Sequence, residues 1–535
     1  MRTRPLPLAA AALLLACAGA QKPEPAPAPA AAEATPDKTA SRSGQPVLTP
    51  ARPDEAAQAQ AKAAAEAERQ VPVPGPAPEL KVPPQRHFQL SNGLKVRLVE
   101  YHRLPIVALH LVVDAGGVYD PAGKEGLASF TAGMMTEGTK TRSATKISDD
   151  LGFLGASLGA GAGFDSASLS GSSLTRNLDG LLDIFADVLV NPTFPQADFA
   201  RVQDQRLVAL VQQRDQPGAQ AAKAFARLYW GDHPYGHWLM GTEASLKKTT
   251  RADLARYHAA RWKPKGSELV VVGDIGEGDL KPKLERALAR WQGAVPPPAR
   301  PAVAKAATLR TVLIQKRGPS PQAFVMMGMP GFQRSSPDYV PAEVAFQVLG
   351  GGTASRLFRN LREKEGYTYG IYARSEARKL GGTSFVVGSV KSDVTGKALQ
   401  AILGEIAQLR DAPVPDAELA VARNGILLSL PGDFATAGGI AAKVAEEVVH
   451  GLPDDYWDDY AKQIEKVSPG DVQEVARKYL DPAKLTTVMV CDPAEVKPQL
   501  EALPLGAVEV RPAGPPPAKP GKPAAPAPAP ARASR

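Results

Sequence analysis

Between residue 86 and about residue 510 the chain carries its apolar residues in two rhythms, one of period two and one near 3.6. His87 to Glu100 alternates around Asn92-Gly93, which predicts two strands joined by a hairpin. Ile106 to Val113 predicts a further strand, ending at Ala115-Gly116-Gly117. The stretch Gly126 to Thr139 (Gly-Leu-Ala-Ser-Phe-Thr-Ala-Gly-Met-Met-Thr-Glu-Gly-Thr) follows as a helix, with Met134 and Met135 expected in or near the core. Leu158 to Leu174 alternates small and polar residues, as a Gly-rich strand pair would. Leu178, Leu181, Leu182, Phe185 and Val188 have helical spacing, and Asn191-Pro192 stops that helix. A long helix is predicted from Gln196 to Asp215, and a short buried strand over Leu269 to Val272.

The pattern then recurs. Asp253…Pro264…Asp274 is matched by Asp471…Pro482…Asp492 with the same internal spacings, an offset of 218 residues (253 to 471). Phe194-Pro195-Gln-Ala-Asp-Phe199 is matched by Val414-Pro415-Asp-Ala-Glu-Leu419, an offset of 220 (195 to 415). Two tandem copies of one domain account for this economically. Hairpin-joined strands mixed with long helices, without strict alternation, predict an α+β fold: two tandem homologous domains, each an antiparallel-rich sheet with helices packed on one face. The expected boundaries are 86–292 for the first domain, 309–510 for the second, and a Pro-rich linker at 293–308.

Composition changes the picture mainly at the ends. Of 51 prolines many cluster there. Residues 18–85 and 511–535 are Ala/Pro-rich and too poor in large apolar residues to offset the entropy of ordering, so they are expected to be a disordered tether and tail. Met1-Arg-Thr-Arg4 and the apolar run Leu6–Ala16 read as a signal peptide over residues 1–17, too short to span a bilayer as a mature helix. Leu14-Leu15-Ala16-Cys17 resembles the bacterial lipobox, which implies lipidation of Cys17 and attachment to a membrane of the cell envelope. Ala18 after the cysteine implies the periplasmic side of an outer membrane. With Cys17 lipidated, Cys491 has no disulfide partner, and its apolar neighbourhood predicts a buried, inert thiol. A net charge of +8 over 535 residues, without a basic run, gives no support for nucleic-acid binding.

Several motifs in one order carry a resemblance: Ser91-Asn-Gly-Leu94, Gly126-Leu-Ala…Gly138-Thr139, His233-Pro-Tyr-Gly236, Pro264…Gly273-Asp274 and the segment around Arg362. Together they resemble the pitrilysin/insulinase family of zinc peptidases in its short, two-domain form, over roughly residues 86–504. The resemblance implies a catalytic helix bearing His-x-x-Glu-His. Histidines at i and i+4 share one helix face and one zinc, and the Glu between them acts as general base. Those positions are Ser129, Ala132 and Gly133 here. A distal Glu ligand is expected at Val208 or Ala209 and is absent as well. Other candidates do not replace the set. His233 and His237 lie on a Pro-Tyr-Gly loop, Glu137 lies beyond the motif, the remaining histidines are scattered, and Ser129 has no base near it in sequence.

The second domain keeps more of the family pattern. Gly350 to Gly370 resembles the family's substrate segment, in which an Arg and a Tyr seven residues later hydrogen-bond substrate and stabilise the tetrahedral intermediate. Arg362 and Tyr369 occupy those positions. The resemblance therefore implies a non-catalytic subunit that binds no cofactor itself. It would pair with a zinc-bearing subunit and act on peptides or unfolded protein. Two alternatives stay open at this point: a peptide-binding or scaffold lipoprotein without proteolysis, and an active metalloendopeptidase with unconventional ligands.

Overall fold

A computed structural model of the chain describes residues 80–296, 308–316, 318 and 320–512. The signal peptide, Cys17, nearly all of the tether, most of the linker and the C-terminal tail lie outside the described residues.

The first repeat opens with the expected hairpin. Strands β1 (Gln85–Gln89) and β2 (Lys95–Glu100) pair antiparallel, with Gln89 opposite Lys95 across the Asn92-Gly93 turn. Strands β3 (Ile106–Val113), β4 (Ser157–Ala162), β5 (Ala167–Leu174) and β6 (Glu268–Gly273) complete a sheet of order β1-β2-β6-β3-β5-β4, parallel only between β2 and β6. In the second repeat, β7 (Arg310–Gln315), β8 (Gln322–Pro330), β9 (Thr368–Arg378), β10 (Gly381–Lys391), β11 (Thr486–Cys491) and β12 (Val508–Arg511) form the order β12-β7-β11-β8-β10-β9. Five strands correspond one to one, and β6 and β11 begin 218 residues apart (268 to 486). The sixth differs: β1 enters from the N-terminal side by a hairpin, whereas β12 enters from the C-terminal side and runs parallel to β7. Two tandem α+β domains are thus the architecture.

Alternation along the central strands explains how the sheets are covered. Val107, Leu109, Leu111 and Val113 of β3 and Leu269 and Val271 of β6 face the core of their own repeat. The helices Leu127–Met134 and Leu178–Val190 pack on that sheet at β4 and β5. The opposite side chains, Ala108, Val112, Val270 and Val272, are buried too. The helix Ala437–His450, which belongs to the second repeat, packs on β3 and β6. The exchange is mutual. The helix Pro217–Trp230 of the first repeat packs on β8 and β11, where Ala221 and Phe225 join Met326, Phe385, Val387, Val488 and Val490 in one buried cluster. These two helices begin 220 residues apart (217 to 437), so the exchange follows the internal repeat. Helices of the same repeat therefore cover one side of each sheet, as expected, and a helix of the other repeat covers central strands on the second side.

Two contacts show how tight this exchange is. A methyl group on Gly328 of β8 would lie 1.9 Å from Cε2 of Phe225, so that position accepts no side chain while Phe225 stays in place. Glu447, fully buried on the exchanged helix, accepts from Nε2 of Gln85 at 2.8 Å and from Arg97 of β2 at 3.3 Å. Arg97 also pairs with Glu268 and with Asp454. Val82 donates its backbone N–H to Asp458, so the chain is already tied to the second repeat ahead of β1. Burial holds the Glu447 carboxyl at about 7 against the attraction of Arg97, because the charged form loses its hydration.

Gly328→Ala is expected to lower thermal stability by about 1–3 kcal/mol through overpacking, and the loss should disappear in a Phe225→Ala background. For Glu447 the folded pKa is raised. The folded chain therefore binds more protons than the unfolded chain between the ordinary Glu value and about 7, and stability falls as pH rises through that window. Glu447→Gln should flatten the fall in melting temperature between mildly acidic and mildly alkaline buffer, with a ceiling of about 3 kcal/mol.

Candidate functional site

The motif helix Leu127–Met134 is built for packing. Gly126 starts it at φ 93°, and a Cβ there would lie 2.7 Å from the backbone of Met240 and Gly241. Asp120 caps it, its two carboxylate oxygens accepting from the N–H groups of Gly126 and Ala128 at 2.7 Å each. Leu127, Phe130, Ala132 and Met134 point into the first core, and Met135 just beyond is equally buried. Phe130 stacks on Phe199 of the long helix Gln196–Gln213, at 5.2 Å between ring centroids.

The three motif positions sit on this helix as the spacing required, yet their surroundings are not those of a metal site. The Ser129 hydroxyl donates to the carbonyl of Leu239 at 2.6 Å. Ala132 is buried in the core, and Gly133 has no side chain to offer. Across this face reaches Arg206: Nη1 donates to Ser129 Oγ at 3.1 Å and Nη2 to the Ser129 carbonyl at 2.7 Å. Its guanidinium also lies 4.7 Å from the Phe130 ring centroid. Of the two positions expected for a distal ligand, Val208 is 55% exposed and Ala209 offers only a methyl group, and the long helix reaches the motif face with Arg206. A hydroxyl, a methyl, a hydrogen and a guanidinium do not fit Zn²⁺, which takes thiolate, imidazole or carboxylate ligands. Among the described residues no group of three His, Cys, Asp or Glu is placed to hold a metal ion.

The remaining candidates have structural partners. His233 caps the turn Pro234–Gly236, its Nδ1 accepting from the Tyr235 N–H at 3.1 Å. His237 points elsewhere, with Nε2 3.5 Å from the buried Asp120 carboxylate. Glu137 pairs with Arg201. Cys491 is buried on β11, and burial pushes its thiol up to about 12, which keeps it un-ionised. Tyr235 has a role that its motif did not reveal. Its hydroxyl donates to Asp165 and accepts from the Leu380 N–H at 3.1 Å, so the His-Pro-Tyr-Gly loop ties the first repeat to the β9–β10 turn of the second. Arg378 lies over the rings of both Phe164 and Tyr235.

In the second repeat, Arg362 lies in a π-helical segment, Phe358–Lys364, and Tyr369 on edge strand β9. The fold brings them into contact. Nη1 of Arg362 donates to the Tyr369 carbonyl at 2.6 Å, and the guanidinium stands 4.2 Å from the Tyr369 ring centroid and 4.9 Å from that of Phe358. The Tyr369 side chain is 78% exposed, and it presents a phenol beside a guanidinium at the surface.

Comparison with known proteins accords with this geometry. A model of the insulinase family, peptidase family M16, matches residues 95–243, and a model described as the peptidase M16 inactive domain matches residues 248–426. The chain belongs to the insulinase family, as a member that lacks the family's zinc motif. A Helicobacter pylori protein named non-peptidase homolog YmxG is 25% identical over 411 residues, covering 75% of this chain and 93% of that protein. A Rickettsia bellii protein named as an uncharacterized zinc protease is 22% identical over 401 residues, covering 72% of this chain and 90% of that protein. The crystal structure of a peptidase M16 inactive domain from Pseudomonas fluorescens superposes with a TM-score of 0.72 at 27% identity, over 76% of this chain and 98% of that one.

Tyr235→Phe removes one donor to Asp165 and one acceptor for Leu380. It is expected to lower unfolding free energy by about 1–3 kcal/mol, read as a shift in the urea midpoint with an unchanged slope.

Proposed function

We propose that this chain is the non-catalytic, substrate-binding subunit of a dimeric insulinase-type zinc peptidase of the bacterial cell envelope. The observation that carries the proposal is the contrast between two sites of one chain. The motif helix holds no ligand set for zinc, whereas Arg362 and Tyr369 stand together at the surface with a permanently charged donor beside a phenolic one. Those groups suit a peptide carbonyl that gains negative charge in the transition state. The zinc, the general base and the attacking water would come from a partner chain bearing His-x-x-Glu-His, and the substrate would be a peptide or an unfolded segment. Lipidation at Cys17 would hold the assembly at a membrane, on the periplasmic side of the outer membrane.

A second reading, a peptide-binding or scaffold lipoprotein without proteolysis, draws support from the relative named as a non-peptidase homolog. For an active enzyme with unconventional ligands, no group of three His, Cys, Asp or Glu placed to hold a metal ion is found among the described residues.

Co-expression with a chain carrying His-x-x-Glu-His, followed by peptidase assay of the purified complex, tests the first reading. Arg362→Ala and Tyr369→Phe are each expected to lower kcat by roughly 10²–10³-fold, as loss of an oxyanion donor does, with the complex still assembled. Unchanged turnover in both variants would sink the substrate-site assignment. Failure of any zinc-bearing chain to copurify, with peptide binding preserved, would favour the scaffold.

A further inference from the structure

Arg206 stands in an unusual place for a cation. Its guanidinium crosses the face of the motif helix from which residues at i and i+4 would hold a metal, bonded to Ser129 at one end of that span. At the other end, a Cβ on Gly133 would lie 3.2 Å from Nη2, tighter than an ordinary contact. Phe130, between them, supplies the aromatic face on which the guanidinium rests. Asp120 is the acidic group that favours its charge, acting across a distance rather than by a direct ion pair. Burial lowers the pKa of Arg206 to about 10, which leaves it protonated at neutral pH.

We infer that Arg206 is a resident cation on the former metal face, and that it closes this site to zinc by occupying the space the ligand side chains would need. Loss of the ligands and gain of the arginine are then one structural change. An imidazole at position 133 requires the volume that Nη2 fills, and an imidazole at position 129 would lose the hydroxyl that holds Nη1. A fixed positive charge on that face also repels a divalent cation. Restoring the motif alone would therefore leave the site closed, whereas restoring it together with a change at position 206 would open it. This inference concerns the first repeat only, and it holds whether or not the partner proposed above exists.

The test uses the full-length chain and zinc itself. One variant carries Ser129→His, Ala132→Glu and Gly133→His with Arg206 retained. A second adds Arg206→Ala, which removes the guanidinium and supplies no ligand of its own. Titration with zinc against a chromophoric chelator should show binding tighter by at least about tenfold in the second than in the first. Equal zinc affinity in the two overturns the inference. A thermal double-mutant cycle on Gly133→Ala and Arg206→Ala applies even where the multiple variants do not fold. Gly133→Ala should stabilise the chain less, or destabilise it, when Arg206 is present than in the Arg206→Ala background, where helix propensity alone favours alanine, a difference of about one degree in melting temperature. Additive effects would overturn the inference.

Discussion

Strands β3 and β6 of the first sheet and β8 and β11 of the second have two apolar sides, and each repeat supplies helices of its own for only one of them. That is the constraint on which the rest depends. Val270 and Val272 are buried opposite Leu269 and Val271, and what covers them is a helix from the other half of the chain. Each such side chain contributes about 1.5–3 kcal/mol when removed from water, so neither sheet could stand with one side bare. The mutual exchange of Pro217–Trp230 and Ala437–His450 meets this need in both directions. Polar links then fix how the halves meet: Arg97 with Glu447 and Asp454, and Tyr235 with Asp165 and the Leu380 N–H. A buried carboxylate such as Glu447 is costly to ionise, which makes it a determinant of geometry rather than a source of stability.

The same packing logic explains why the motif helix exists without its chemistry. Phe130, Met134 and Met135 are core residues, and Asp120 satisfies the N–H groups at the helix start. None of these roles requires a metal. The surface that a metal would have used is instead taken by a guanidinium whose donors find a hydroxyl, a carbonyl and an aromatic face. Burying a cation this way is tolerable only because its hydrogen bonds are made and Asp120 lies near. Tyr369 presents the opposite case. Its side chain is mostly in solvent and Arg362 stands over its ring, so a core role does not account for it. Interior packing governs the first of these places and not the second.

Much of this was legible in the amino-acid sequence because it depends on local periodicity. The Asn92-Gly93 hairpin, the Gly-rich β4–β5 pair, the long helices and the two-fold repeat with its offset near 218 all appear in the structure where the pattern put them. So does the placement of Ser129, Ala132 and Gly133 on one short helix. The apolar run Leu269–Val272 marked β6 as a buried strand, and the matching ending at Asp492 put its repeat at β11. Neither could say what buries them, because the pattern records that a side is apolar and not which segment lies against it.

The sequence by itself thus determined the elements, their repetition, the fold class and the loss of the zinc ligands, all of which follow from residue type and spacing. The tertiary structure alone decided three further things: the exchange of helices between repeats, the tie made by Tyr235, and the approach of Arg206 to a helix 77 residues away in the chain. Each is a contact between distant segments. A rotation of about 100° per helical residue separates a side chain that faces the site from one that faces water, and only the packed helices fix which residue that is.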